Sequence, residues 1–188
     1  MDQRFYDAVQ HNPIIAAVKH DGGLQRCLKH REIKVVFVLY GDLCNIPSIV
    51  SDIHQAGKIA IVHADLISGL SAREVAVDYL RNNAGADGII STRQNLIQRA
   101  KELKMFTVWR VFIIDSMALS EADSARALRP DFLEVLPGVM PSIIRQLRVS
   151  TGLPLLAGGL IRTKQDVMEA LDAGAMAIST TNEAVWDM

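Results

Sequence analysis

Two short apolar runs near the end of the chain are each followed by residues that suit the binding of a phosphate group. These residues are Gly158, Gly159, Ser179, Thr180 and Thr181. Glycines let backbone amides approach an anion closely, and hydroxyl groups and a following helix start can donate to its oxygens. The pattern predicts a phosphate cradle. The alternative is that the glycines only form a tight turn and the hydroxyl residues only cap a helix.

A second group of polar residues lies at or just beyond the ends of other apolar runs. The group consists of Lys19, His63, Asp65, Arg110 and Glu134. Its cations would bind the negative charge of a ligand and its carboxylates would accept hydrogen bonds from ligand hydroxyls. The group therefore suits a small phosphorylated ligand that carries hydroxyls. A simpler alternative for Glu134 and Lys19 is a structural ion pair at the rim of the site.

Two members of this group have further alternatives. His63 is either a general base or a histidine held by structural hydrogen bonds. Asp65 has the oxygen ligands that Mg²⁺ prefers, but no second carboxylate stands at a convincing spacing, so no metal site is predicted. No residue is therefore assigned a catalytic role from its type and position.

The apolar runs predict the elements that must position these groups. Strands are predicted at residues 14–18, 35–39, 59–63, 88–91, 106–112, 132–135, 155–157 and 177–179. Helices are predicted within residues 1–13 and at 24–30, 45–55, 94–103, 141–149 and 164–173. Two more helices are predicted to begin near residues 71 and 115, and a short one follows the last strand. The two kinds of element alternate along the chain and are joined by short connections.

This alternation predicts a (β/α)8 TIM-type barrel formed as a single domain by residues 1–188. In such barrels functional groups lie at the carboxyl ends of the strands, and the loops after the seventh and eighth strands often bind phosphate. An open doubly wound parallel sheet is the alternative fold. At one helix start, Ser71 and Glu74 have the spacing of a capping box, with Val75 on the inner face of the helix.

The composition is that of an ordinary globular protein. The 188 residues are 49% hydrophobic and 22% charged, with a net charge of −1, so there is no global attraction to nucleic acid or to an acidic membrane. Cys27 and Cys44 are isolated and lack the spacing of a metal site. Isolated thiols of this kind are typical of a protein in a reducing compartment. No apolar run approaches transmembrane length and the first residues are unlike a signal peptide, so we expect a cytoplasmic protein without a membrane partner.

Several segments together resemble the glycerol uptake operon antiterminator proteins. They are residues 15–19 (IAAVK), 63–71 (HADLISGLS), 88–93 (GIISTR), Arg110 with Asp115 and Ser116, 134–141 (EVLPGVMP) and 157–161 (AGGLI). Each motif is modest by itself, but their order and combination are fairly specific. The resemblance extends from about residue 13 to the end of the chain.

The resemblance implies a barrel-shaped regulator of transcription antitermination. Such a protein would respond to glycerol 3-phosphate and act on the leader mRNA of glycerol-utilisation genes, with no catalytic role and no cofactor besides this effector. By the matching motifs, the Gly-Gly and Ser-Thr residues would hold the phosphate. Lys19, Arg110 and Glu134 would face the glycerol end of the ligand.

Because the net charge is close to zero, local basic clusters would have to bind the RNA partner. The candidates are Arg26, Lys29, Arg31, Lys34, Arg99, Lys101, Lys104, Arg145 and Arg148. Most lie toward helix C-termini, where cations also complement the helix dipole, and that structural role is the alternative. A homodimer would double this basic rim, and ligand-dependent dimerisation is one way to couple the effector to RNA binding.

Two other functions remain open from the sequence. The same phosphate loops occur in many barrel enzymes, so an enzyme acting on a small phosphorylated polyol or triose is the second hypothesis. A barrel that only holds a protein partner is the third. It has the least support, because no unusually apolar exposed stretch is apparent.

Overall fold

The computed structural model describes residues 3–188 and contains a closed barrel of parallel strands. The strands are β1 (Ile14–Val18), β2 (Val35–Val38), β3 (Ile59–His63), β4 (Gly88–Ser91), β5 (Phe106–Phe112), β6 (Phe132–Leu136), β7 (Leu155–Gly158) and β8 (Ala177–Thr180). Each strand pairs with the next, and β1 also pairs with β8. The predicted (β/α)8 barrel is confirmed, because an open sheet has no pairing between its edge strands.

The first helix precedes the first strand, and the other helices follow the strands and surround the barrel. The helices are α1 (Arg4–His11), α2 (Asp21–Lys29), α3 (Ile46–Gln55), α4 (Val75–Asn82), α5 (Gln94–Glu102), α6 (Ser116–Ala122), α7 (Ala125–Leu128), α8 (Pro141–Thr151), α9 (Lys164–Asp172) and α10 (Glu183–Trp186), with a 3₁₀ turn at Ala64–Leu66. The helix predicted from about residue 115 is in fact two short helices, α6 and α7. The first two residues of the predicted lead-in helix lie outside the described range.

The buried apolar side chains form two clusters, separated by the barrel wall. The inner cluster contains alternating strand residues, such as Ile15 and Ala17, together with Phe5 and Val9 of α1. The ring of Phe5 lies 4.5 Å from that of Phe132, measured between centroids. Helix α1 therefore closes the amino-terminal end of the barrel, and the opposite end is left for polar residues.

The predicted start of α4 is wrong. The residues from Ser71 to Glu74 form no helix, and α4 begins at Val75 without a side-chain cap, because neither Ser71 nor Glu74 makes the reciprocal bonds of a capping box. Val75 is 64% exposed and thus lies outside the inner face. The buried residues of α4 are Ala76, Val77 and Leu80. A complete capping box occurs instead between Thr163 and Asp166 at the start of α9.

Strand alternation brings charged residues together inside the barrel mouth. On β5, Phe106 and Val108 belong to the inner cluster, and Arg110 is the next residue on the same face. On β6, Phe132 belongs to that cluster and Glu134 follows it. Arg110 and Glu134 are also register partners across the two strands. The pairing therefore places a guanidinium beside a carboxylate at the carboxyl-terminal end of the interior.

Three other features bear on function. None of the helices between residues 3 and 188 has the length and apolar character needed to cross a membrane. Within the same range, no three His, Cys, Asp or Glu residues are grouped so that they could hold a metal ion. Both cysteines are free thiols; Cys44 is exposed, whereas Cys27 is buried, and burial raises the pKa of its thiol to about 11.

Candidate functional site

A cavity of about 400 Å³ opens at the carboxyl-terminal end of the barrel, between the loops that follow β7 and β8. Its polar lining consists of Gly159, Ser179, Thr180, Thr181, Asn182, Arg110 and Arg162. Its apolar lining consists of Ala17, Leu39, Leu136, Leu160 and Ile161. The structure thus brings every predicted cradle residue except Gly158 to one cavity.

The charge of the lining favours an anion. Arg110 and Arg162 are its charged residues, and no carboxylate lines the cavity. The Nε atom of Arg110 donates to Glu134 at 2.6 Å, while its two terminal amino groups donate to no described residue. The Arg162 side chain is exposed at the cavity rim and forms no salt bridge with a described carboxylate, although it interacts electrostatically with Asp166. Both guanidinium groups therefore have donors to offer a bound ligand.

A buried hydrogen-bond network lies directly beneath the cavity. Glu134 is fully buried; one carboxylate oxygen accepts from Arg110, and the other accepts from the hydroxyl of Ser179. Gly158 makes room for this network, because a Cβ atom there would lie 2.6 Å from Glu134 Oε1 and 2.7 Å from Ser179 Oγ. Gly158 thus supports the site without lining it.

The two phosphate-type loops are tied to one another. The hydroxyl of Thr180 donates to the carbonyl of Ile161 at 3.0 Å, and the side-chain amide of Asn182 donates to the carbonyl of Arg162 at 3.0 Å. Gly159 has a φ of +74°, in the left-handed region that favours glycine. The cradle is therefore a pair of hydrogen-bonded loops in which the Ser179 and Thr180 hydroxyls already have protein acceptors.

His63 and Asp65 lie close together at the end of β3. Burial, and secondly the positive charge of Arg110, lowers the pKa of His63 to about 4. The Nδ1 atom of His63 is buried without a hydrogen-bond partner among the described residues, since Asp65 Oδ2, at 3.7 Å, is too distant for a hydrogen bond. Asp65 instead accepts from the hydroxyl of Ser91 and the amide of Thr92. Asp65 therefore holds the loop after β4.

Lys19 lies apart from this network. Its side chain is exposed at the end of β1 and does not line the cavity. The alternative ion pair between Lys19 and Glu134 is wrong, because Glu134 is bound by Arg110 and Ser179. His63, Asp65 and Glu134 are not lining residues either. Their contact with a ligand, like that of Lys19, stays a prediction.

The sequence analysis misses several residues of the cavity. Arg162 and Asn182 contribute polar groups, and Leu39 and Leu136 contribute apolar surface. Arg162 follows the Gly-Gly pair by three positions and immediately precedes the cap of α9, so its position in the loop is a signal that was available. The leucines carry no such signal, because apolar strand ends are common throughout the chain.

The predicted RNA-contact residues fall into two groups. Arg26 is paired with Glu183, and Arg99 is paired with Asp78 at 2.6 Å and with Glu102 at 2.8 Å. The other candidates form no ion pair with a carboxylate of residues 3–188; these are Lys29, Arg31, Lys34, Lys101, Lys104, Arg145 and Arg148. Contact of any of them with RNA stays a prediction.

The closed barrel and its anion-suited cavity define a (β/α)8 protein with a ligand site at the carboxyl ends of its strands. The model of one protein family, described as the glycerol-3-phosphate responsive antiterminator, matches residues 14–186 of the chain. The chain belongs to this family. The resemblance noted in the sequence is thereby confirmed.

Relatives and solved structures agree with this assignment. An uncharacterized Escherichia coli K12 protein, YgcP, is 40% identical over 181 residues, which are 96% of this chain and 94% of that protein. The glycerol uptake operon antiterminator regulatory protein of Listeria monocytogenes has a TM-score of 0.90 at 32% identity, covering 94% of this chain and 95% of its own. A related Thermotoga maritima protein has a TM-score of 0.83 at 31% identity, covering 93% and 98%.

Proposed function

We propose that the chain is a transcription antiterminator whose effector, glycerol 3-phosphate, binds in the cavity between the loops after β7 and β8. The observation that carries this proposal is a cavity lined by two arginines and no carboxylate, in a member of a family described as glycerol-3-phosphate responsive. A phosphate monoester carries a charge of about −1.5 to −2 at neutral pH. Its affinity for such a lining follows from charge and donor geometry together.

The phosphate group is expected to lie against the two tied loops. The backbone amides of Gly159, Leu160 and Thr181 donate to no described group, so they remain available to phosphate oxygens. The guanidinium of Arg162 is at the same rim and supplies a charge-assisted donor. Ser179 and Thr180 contribute mainly by fixing the loops, since their hydroxyls donate to Glu134 and Ile161.

The glycerol end of the ligand is expected to point toward Arg110. Its two terminal amino groups can donate to hydroxyl oxygens, and Glu134 holds the guanidinium in place. Leu39 and Leu136 offer apolar contacts to the carbon chain. Of the other residues predicted for this end, His63 interacts electrostatically with Arg110, and His63, Lys19 and Asp65 all lie outside the cavity lining.

The occupied state of the two carboxylate candidates, Glu134 and Asp65, supports a regulator without catalytic activity. Both oxygens of Glu134 already accept hydrogen bonds, and Asp65 is engaged by the loop after β4. A general base must reach the proton that it abstracts, and neither carboxylate lines the cavity. No specific contact favours the enzyme hypothesis over binding alone.

The regulatory half of the proposal is that the effector changes affinity for a leader mRNA, with pairing of two copies as the coupling step. Exposed apolar side chains near the mouth support such pairing: Phe112 is 52% exposed, Ile114 is 83% exposed and Met117 is 76% exposed. Leu160, which is 60% exposed, lies at the rim and also lines the cavity. A ligand in the cavity is thus next to a surface that a second copy can cover.

The test is transcription in vitro from a template that carries a glycerol-gene leader and its terminator. We expect more readthrough with protein and glycerol 3-phosphate together than with either alone, and a larger mass by light scattering when the effector is present. Glycerol 3-phosphate should be recovered unchanged after incubation, as judged by mass spectrometry. Turnover of the compound, or readthrough that ignores it, would overturn the proposal.

A further inference from the structure

A basic groove lies at the amino-terminal face of the barrel, opposite the ligand cavity. One concavity of about 590 Å³ is lined by Lys101 and Lys104 at the end of α5 and by Arg129 after α7. A second, of about 370 Å³, shares Arg129 and adds Arg126. The two concavities therefore adjoin, and four cations are spread along them.

Four cations line the groove, against one carboxylate among the described lining residues. Asp131 is the carboxylate that lines the groove, and one of its oxygens accepts from the amide of Thr107 at 2.9 Å and from its hydroxyl at 2.8 Å. Lys104, Arg126 and Arg129 form no ion pair with any carboxylate in the described part of the chain. This distinguishes the groove from the paired arginines elsewhere on the surface.

Two of the cations occupy backbone conformations that favour glycine. Lys104 has a φ of +56° and Arg129 has a φ of +50°, both in the left-handed region. Glycine adopts this region without the steric cost that a Cβ atom imposes, and it is frequent directly after a helix. Each long basic side chain is thus present where local backbone preference would select glycine. Their charge complements the dipoles at the ends of α5 and α7, and it is also available to a bound polyanion.

We propose that this groove binds the phosphates of an RNA backbone. The inference rests on the proposed antiterminator function and supplies the surface for its RNA partner. Exposed cations spread over two adjoining concavities suit a chain of phosphodiesters, which carries one negative charge per nucleotide, better than a single small anion, which needs converging donors. Strands β5 and β6 begin beside the groove and carry Arg110 and Glu134 further along, near their carboxyl ends, so the same two strands connect both sites.

The left-handed backbone provides a sharp test. The double variant Lys104→Gly/Arg129→Gly removes two cations while each glycine fits the existing φ. The double variant Arg73→Gln/Arg81→Gln removes two exposed cations that are not among the predicted RNA contacts and is the matched control. Binding of a fluorescein-labelled RNA hairpin with single-stranded flanks is measured by anisotropy across a salt series, with and without glycerol 3-phosphate. Thermal unfolding of each variant checks the fold.

We expect the glycine variant to lower the slope of log K against log salt by about 1.4, at about 0.7 per single-strand phosphate contact. With an unchanged intercept at high salt, affinity at about 0.1 M salt falls about 25-fold. The control should keep the wild-type slope. Equal slopes in the glycine variant and wild type, or an equal loss in the control, would place the RNA elsewhere. A wild-type protein that binds no RNA with or without effector would overturn the antiterminator proposal as well.

Discussion

Both ends of the barrel carry arginines, but the two ends use them differently. At the mouth, Arg110 is 7% exposed and is held by the fully buried Glu134. At the amino-terminal face, Lys104 and Arg129 are exposed and have no carboxylate partner among the described residues. A buried charge requires a partner, whereas an exposed charge remains solvated without one. This difference supports the two proposals, which assign a small ligand to the mouth and an RNA backbone to the opposite face.

The largest effect on stability is expected from breaking the pair at the mouth. Glu134→Gln leaves the Arg110 guanidinium buried without a counter-charge, and removal of one partner of a buried pair costs about 3–5 kcal/mol. Equilibrium urea unfolding at neutral pH gives the change in the free energy of unfolding.

The control for this prediction is the double variant Arg110→Met/Glu134→Gln. It removes the positive charge as well, and the glutamine can still accept from the hydroxyl of Ser179. We expect it to recover at least about 2 kcal/mol of the loss. A cost below about 1 kcal/mol for Glu134→Gln alone would show that the pair is not the constraint that shapes the mouth.

The second prediction uses the pH dependence of stability. The pKa of His63 is about 4 in the folded chain, against an ordinary value of 6.5. Between these values the unfolded chain binds a proton that the folded chain does not, so stability is full above about pH 6.5 and falls as the pH falls toward 4. The wild type should lose about 2 kcal/mol more than His63→Gln between pH 7 and pH 5. Equal losses in parallel urea titrations would mean that His63 is not buried as a neutral group.

The smallest effect is expected at the amino-terminal face. Lys104→Gly and Arg129→Gly should leave the free energy of unfolding unchanged or raise it by about 0.5 kcal/mol each, because relief of the left-handed strain exceeds the added entropy of the unfolded chain. Urea unfolding of the single variants measures this directly. A loss of about 2 kcal/mol or more would show that these cations are structural, and the contrast between the two ends would disappear.

Most of the barrel is readable from the sequence, because buried parallel strands are continuous apolar runs and short strands alternate with helices. The runs at 59–63 and 106–112 match β3 and β5 residue for residue. The start of α4 is not readable, since the spacing of Ser71 and Glu74 resembles a capping box without forming one. Such a motif fixes a helix start only when its hydrogen bonds are made.

The site is only partly readable, for a different reason. Gly159 and the Ser179–Thr181 run reach the predicted cavity because strand ends of a barrel meet at one face. The partner of Glu134 is a matter of register between β5 and β6, which places Arg110 beside it and leaves Lys19 exposed. The contribution of Arg162 depends on the conformation of a loop. Local sequence determines neither the register of the strands nor the conformation of this loop, although the position of Arg162 after the Gly-Gly pair indicates that it belongs to the loop.

Calorimetric titration of glycerol 3-phosphate into the purified protein tests the proposed effector site most directly. Glycerol and inorganic phosphate are the ligand controls, with the variant Arg162→Gln for the cavity and Lys104→Gly/Arg129→Gly for the opposite face. We expect selective binding of glycerol 3-phosphate, weakened about tenfold or more by Arg162→Gln because a charge-assisted hydrogen bond contributes about 1.5–3 kcal/mol, and unchanged in the glycine variant. Equal affinity in wild type and Arg162→Gln, or no binding at all, would contradict the assignment of this cavity to the effector.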